Sequence, residues 1–322
     1  MLLFDSKTTN INRAMAKTGT FDPAGMTATV NAIKKCYQKL TETDNIPPER
    51  IFIVGSGGLM GALRDRPEAK RVELIKENKR DLERAVNSAV TKKMDFVDAD
   101  EELDYQLEAV VEPGNLGKSV YIDIGSGATR GAYRDADGRL QKLLLAGINE
   151  FVEKAKNNPG GLTGDNGKHL AKSLIADKFR TQAKAAEGFN GRENVYIGGG
   201  IVWVMSTATH PKQQIAPPED GLHVPLTVDD ITGFVADIRK GRDFRQSYEP
   251  PVGLSPDETK KIRAEVEKTK KPFPPEKLAA GAEILSSLVT EMKLSDRKVK
   301  FPRYAHVSWL MGYIAKQSGL KR

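Results

Sequence analysis

Apolar positions along this chain follow two rhythms, and their order predicts an α/β fold. Three β-branched runs, Ile51–Val54, Ser119–Ile124 and Val195–Ile197, read as buried strands. Each runs into glycines: Gly55-Ser56-Gly57-Gly58, Gly125-Ser126-Gly127 and Gly198-Gly199-Gly200. Shorter pieces at Leu2–Phe4, Phe96-Val97, Tyr133, Leu140–Leu145 and Val299–Phe301 complete the predicted strands, with a turn at Asp135–Gly138.

Helical spacing fills the intervals. Asp22-Pro23 predicts a capped helix to about Leu40, and Pro67–Val90 a long charged helix whose stripe is Val72, Ile75, Leu82, Ala85 and Val86. Asp100–Val111 is a helix with an acidic first turn, which suits its macrodipole. Phe151–Lys156, Lys168–Ala186, Thr227–Arg239, Pro275–Lys293 and Trp309–Gln317 follow, and Ser255-Pro256-Asp257-Glu258 is a capping-box signature. Ile201–Met205 is an apolar run behind the third glycine group, and His210–His223 is a polar connector.

Length and charge narrow the picture. The 322 residues can bury a sizeable core and suit two domains, and a net charge of +7 favours a polyanionic partner. Much of that charge sits in lysines on solvated helix faces, as at Lys260, Lys261, Lys268, Lys270 and Lys271. The single cysteine, Cys36, is expected to be a small packed residue, and the two tryptophans to pack in the core. The four histidines show no metal-ligand spacing. No stretch has the character of a membrane span or a secretory leader, so a cytoplasmic location is expected.

The candidate chemistry gathers at the glycine turns. Glycines 125 and 127 allow a tight bend whose successive N–H groups make a concave anion site, and Asp123 is placed to hold a divalent cation or a water beside it. Ligands of α/β proteins gather where strand ends face a crevice, so three such turns spread over two halves predict a cleft.

In order and character the chain resembles the exopolyphosphatase / guanosine pentaphosphate phosphohydrolase (Ppx/GppA) family of the actin–Hsp70–sugar kinase superfamily. Thr18–Asp22 looks like the entry to the family's first long helix, Val54–Ala62 is similar to its alanine-threonine-serine-alanine-leucine-arginine segment, and Ile122–Thr129 resembles its phosphate loop. Leu145-Ala146-Gly147 matches the opening of a second domain, and Gly198–Gly200 a late glycine turn. The resemblance implies two actin-like (ribonuclease H-like) domains, 1–146 and 147–322, around a cleft. It implies water attack on a terminal phosphate of polyphosphate or a guanosine polyphosphate (pppGpp), assisted by Mg2+. Nucleic acid is not the expected partner, and relatives commonly form homodimers. It puts the catalytic carboxylate on Glu102, although Asp98, Asp100 and Glu101 are equally good candidates by residue type. Asp123 takes the metal, and Gly55, Ser56, Gly57, Gly125, Ser126, Gly127, Thr129, Arg130, Gly198, Gly199 and Gly200 take phosphate.

The chain also departs from the pattern. Nothing matches the family's opening aspartate–glycine–serine–asparagine loop, and Met1–Phe4 is expected to correspond to a later strand, whether through truncation or loss of that loop. Met60 stands where an arginine is expected, with Arg64 a helical turn onward, and Ala128 replaces the loop serine. Arg130 replaces a glutamate, and Leu310-Met311-Gly312 a late arginine-glutamate-glycine. Three functions therefore stay open: the hydrolase, a relative that binds phosphate or nucleotide as a sensor or scaffold, and an actin-like protein with another activity.

Overall fold

A computed structural model describes residues 7, 9–63, 66–157, 161–162, 164–217 and 221–319. The Leu2–Phe4 strand and Arg64 lie outside the described residues. The chain forms two compact units, Met1–Glu102 and Leu103–Arg322.

In the first unit, helix α1 (Pro23–Gln38) starts as predicted: Asp22 Oδ1 accepts from the Gly25 N–H at 2.7 Å. The helix continues as a π turn at Lys39–Thr43. Helix α2 (Glu68–Ala89) buries Leu74, Leu82 and Val86, whereas Val72, assigned to the stripe, is 59% exposed. Asn78 is buried on the same helix; its Oδ1 accepts from the Phe21 N–H and its Nδ2 donates to the Gly19 carbonyl, which ties the entry to α1 onto α2. Cys36 is exposed, not packed, because α1 turns that position to solvent. Strands β1 (Ile53–Ser56) and β2 (Met94–Val97) pair in parallel. Gly55 and Ser56 thus belong to the strand, and the bend that follows is a 3-10 turn at Gly57–Leu63.

Helix α3 spans Ala99–Val110, and the second unit is built on a six-stranded sheet. Its strands are β3 (Ser119–Ile124), β4 (Ala128–Arg134), β5 (Leu140–Ala146), β6 (Asn194–Gly199), β7 (His223–Leu226) and β8 (Lys298–Pro302). The spatial order is β5-β4-β3-β6-β8-β7. The central three, β3, β6 and β8, are parallel; the outer strands are antiparallel to their neighbours. Val120, Ile122, Ile124, Val195 and Ile197 point into the main core. That core also takes apolar residues of α4 (Ile148–Lys156), α5 (Gly200–Thr209), α6 (Val228–Arg239) and α8 (Pro275–Glu291), whereas helix α7 (Pro256–Lys270) packs beside α5. Tyr121, Ala132 and Tyr196 point the other way, onto Leu103, Leu107 and Val110. Period-2 alternation sorts side chains between two unlike layers.

Three expectations change here. Ala128 and Thr129, placed in the loop, and Arg130, placed directly after it, are strand residues of β4. The helix predicted over Lys168–Ala186 is broken into Gly164–Ala171, a π turn at Lys172–Ala176, Asp177–Thr181 and Ala183–Asn190. His223, placed at the end of the polar connector, instead opens β7, an edge strand, where the missing N–H of Pro225 is tolerated. The capping boxes at Thr227/Asp230 and Ser255/Glu258 form as predicted. Lys268 and Lys270 pair with Glu265 and Glu267 one turn away, as on a solvated face.

Arg245, 4% exposed, joins the loop after α6 to the end of α7. Its Nε and Nη2 donate to the two Asp243 oxygens at 2.7 Å each, and its Nη1 to the Thr269 and Phe273 carbonyls. Burial alone would raise the Asp243 carboxyl, but the Arg245 hydrogen bonds outweigh it and hold the group below the usual carboxylate range. Removing one partner of such a buried pair costs about 3–5 kcal/mol, the loss expected for Arg245→Ala in urea denaturation at pH 7. The Asp243 contribution is full above the ordinary carboxylate range and is lost as pH falls through the depressed value. The stability gap between wild type and Asp243→Asn should therefore narrow below about pH 4.

Candidate functional site

In the second unit the parallel pairing of β3 with β6 sets Asp123 opposite Gly198 and Ile124 opposite Gly199. Two of the three glycine segments therefore lie side by side at the same end of adjacent strands. The Gly125–Gly127 bend closes a hairpin from β3 to β4, with the Gly125 N–H donating to the Ala128 carbonyl at 3.0 Å. Helix α4 clamps this bend from behind: the Ile148 N–H donates to the Gly125 carbonyl at 3.2 Å and the Asn149 N–H to Ser126 at 2.9 Å. Gly147 allows the approach, because a Cβ there would overlap the Ala128 nitrogen.

The glycines have separate reasons. Gly199, the residue before α5, has φ +103°, and a Cβ there would strike the Ile124 carbonyl. A Cβ on Gly198 would sit 2.6 Å from Tyr121 Oη, and one on Gly200 would enter the Phe273 ring. These three are required by the protein's own packing. Around Gly127 nothing lies within 4 Å of a Cβ position. Behind Gly199, α5 begins without a side-chain cap, so its first N–H groups open beside the hairpin.

Asp123 and Arg130 face each other across β3 and β4, with Arg130 Nη2 3.8 Å from Asp123 Oδ2 and the side chains 23% and 17% exposed. Tyr121 lies two residues before Asp123 on the same face and is buried. Burial pushes its phenol well above the usual range; the Asp123 charge adds to this and Arg130 opposes it, so Tyr121 is neutral. Thr129 is also buried but on the opposite face from Arg130, and its Oγ1 has no hydrogen-bond partner among the described residues. The structure does not bring the Thr129 hydroxyl and the Arg130 guanidinium together.

These residues make a poor fit to Mg2+. Asp123 has a guanidinium across one strand and a glycine across the other, so the sheet offers it no second carboxylate. Among the described residues no cluster of three or more His, Cys, Asp or Glu side chains could hold a metal. A divalent ion about 5 Å from the Arg130 charge is repelled by about 7 kcal/mol at an effective dielectric constant of about 20.

In the first unit, Gly55 lies in β1, where a Cβ would meet the Phe96 ring. Gly57 lies against the start of α3: a Cβ there would be 2.9 Å from the Ala99 nitrogen. Ser56 Oγ accepts from the Gly58 N–H at 2.9 Å. The four acidic candidates now separate. Asp98 Oδ1 accepts from the Asp100 and Glu101 N–H groups, and Glu101 Oε2 accepts from the Asp98 N–H at 3.1 Å, a reciprocal cap. Asp98, Asp100 and Glu101 are exposed, whereas Glu102 is 3% exposed. Of the four, only Glu102 is buried, which residue type could not reveal.

The sequence reading missed Tyr121 and the clamp from Ile148 and Asn149, whose contacts depend on tertiary approach; the glycine at 147 was their one visible signal. Gly312, in the departing late motif, has a packing reason: it sits on α9 (Ala305–Gln317), and a Cβ there would overlap the Tyr105 carbonyl.

No protein-family model and no curated protein matches the sequence. Solved structures do match. A Ppx/GppA family member from Aquifex aeolicus superposes with a TM-score of 0.66 at 13% identity, covering 97% of this chain and 88% of that one. An exopolyphosphatase from Cytophaga hutchinsonii gives 0.63 at 11% identity over 99% and 90%. An exopolyphosphatase-like protein gives 0.57 at 14% over 97% and 91%. The chain has the α/β, actin-like fold of the Ppx/GppA proteins. Among the described residues no helix is long and apolar enough to cross a membrane.

The two kinds of glycine should respond differently to a methyl group. Gly199→Ala meets both an unfavourable φ and a backbone oxygen, and should lower stability by more than about 3 kcal/mol in urea denaturation. Gly127→Ala should change it by less than about 1 kcal/mol.

Proposed function

We propose that this chain is a phosphoanhydride hydrolase of the Ppx/GppA kind, releasing terminal phosphate from polyphosphate or from a guanosine polyphosphate such as pppGpp. The observation that carries the reading is the pairing of two glycine bends at adjacent strand ends, on a fold shared along nearly its whole length with a Ppx/GppA family member and with a protein named as an exopolyphosphatase. Phosphoryl transfer asks little covalent chemistry of a protein. It asks for donors on the phosphate oxygens and a carboxylate to orient water and accept its proton. Backbone N–H groups at the start of α5 supply donors beside the Gly125–Gly127 bend, and Arg130 supplies charge. The family resemblance assigns the water-orienting carboxylate to Glu102, which is buried. A bound Mg2+ would neutralise phosphate charge, but the donors around Asp123 do not fit it, and no step here depends on it.

A second reading is favoured by the Asp123–Arg130 pair: the chain binds phosphate or nucleotide without turnover, as a sensor or scaffold. Phosphate release from long-chain polyphosphate separates the two. The hydrolase reading expects release that Glu102→Gln lowers by about 100-fold or more, with an unchanged melting temperature. No release, with tripolyphosphate raising the melting temperature, supports the binding reading, since a ligand of the folded state alone stabilises it. Neither release nor stabilisation sinks both.

A further inference from the structure

The surroundings of Asp123 point to a different source of positive charge at the strand ends. On this sheet a carboxylate at the end of β3 has two cross-strand neighbours. One is Gly198 on β6, which brings no side chain; the other is Arg130 on β4, whose Nη2 lies 3.8 Å from Asp123 Oδ2. The third neighbour on that face, Tyr121, is buried. A hard divalent cation prefers several oxygen donors and keeps waters about it, and here it would meet one carboxylate already beside a fixed cation. An oxyanion meets the reverse. Guanidinium is planar, permanently charged and shaped to donate two parallel hydrogen bonds to a phosphate. The pairing with Asp123 holds Arg130 at the strand's edge, directly beside the Gly125–Gly127 bend, and both side chains keep contact with solvent at 17% and 23% exposure.

We propose that Arg130 takes the place of the divalent cation: its guanidinium contacts phosphate oxygens directly, and this site binds a phosphate chain without Mg2+. The proposal rests on the preceding assignment of the bend to phosphate. It assigns the charge reversal at position 130 a function: the residue that excludes a metal from Asp123 is the one that does the metal's work.

Isothermal calorimetry of the full chain with inorganic tripolyphosphate in EDTA tests it. Wild type should bind in EDTA, Arg130→Gln should bind about tenfold more weakly, and Arg130→Lys, which keeps charge but not the fork, should fall between. Binding by wild type only when Mg2+ is present, or equal affinity of wild type and Arg130→Gln in EDTA, overturns the proposal while leaving the phosphate assignment standing. No binding in either condition overturns both. Manganese(II) electron paramagnetic resonance is the second measurement and needs no Arg130 variant. Wild type should take up no Mn2+ at this site; uptake that Asp123→Asn abolishes overturns the proposal.

Discussion

The register of β3 against β6 is the constraint on which the candidate site depends. Side chains alternate at every residue, so a slip of one position would send Asp123 into the main core and Ile124 to the face of Tyr121. Two contacts hold that register at the strand ends. Gly199 brings its backbone onto the Ile124 carbonyl, and Gly198 leaves the space that Tyr121 Oη occupies. The hairpin beyond is held by two N–H groups from the start of α4. The two bends are thereby set side by side at one end of the sheet.

Electrostatics then decides what such an edge can hold. Asp123 and Arg130 cancel in charge but not in chemistry, since one only accepts hydrogen bonds and the other only donates. The neutral Tyr121 below them adds no charge. Backbone N–H groups and a guanidinium suit an anion, and Asp123 limits how much negative charge can settle beside it.

Much of the fold was legible because local signals and tertiary packing agree. The strands leading into glycines, the cap at Asp22 and the boxes at Thr227 and Ser255 all rest on interactions within a few residues. The errors lie where distant residues decide. Val72 has the right spacing for the α2 stripe, but the core lies against Leu74, Leu82 and Val86. Cys36 fits an apolar helix by type and still faces solvent. The resemblance puts Ala128 and Thr129 in the loop, yet β5 pairs with them residue for residue and extends the strand. Residue type also could not tell that Asp98 and Glu101 cap α3 while Glu102 alone of the four acidic side chains is buried.

A glycine-rich turn is thus an ambiguous signal, since it reports close approach of backbone without naming what approaches. At 198, 199 and 200 the approaching atoms belong to Tyr121, Ile124 and Phe273, and at 147 to the hairpin backbone. Those glycines are demanded by folding alone. Charged positions at the strand edge carry no such demand: Arg130 is partly exposed, and β4 pairs with β3 through backbone groups. Fold and chemistry therefore rest on different residues in this chain. That separation is how a structure can superpose along nearly its full length on proteins 11–14% identical to it while presenting a cation where a metal-binding edge would want an anion.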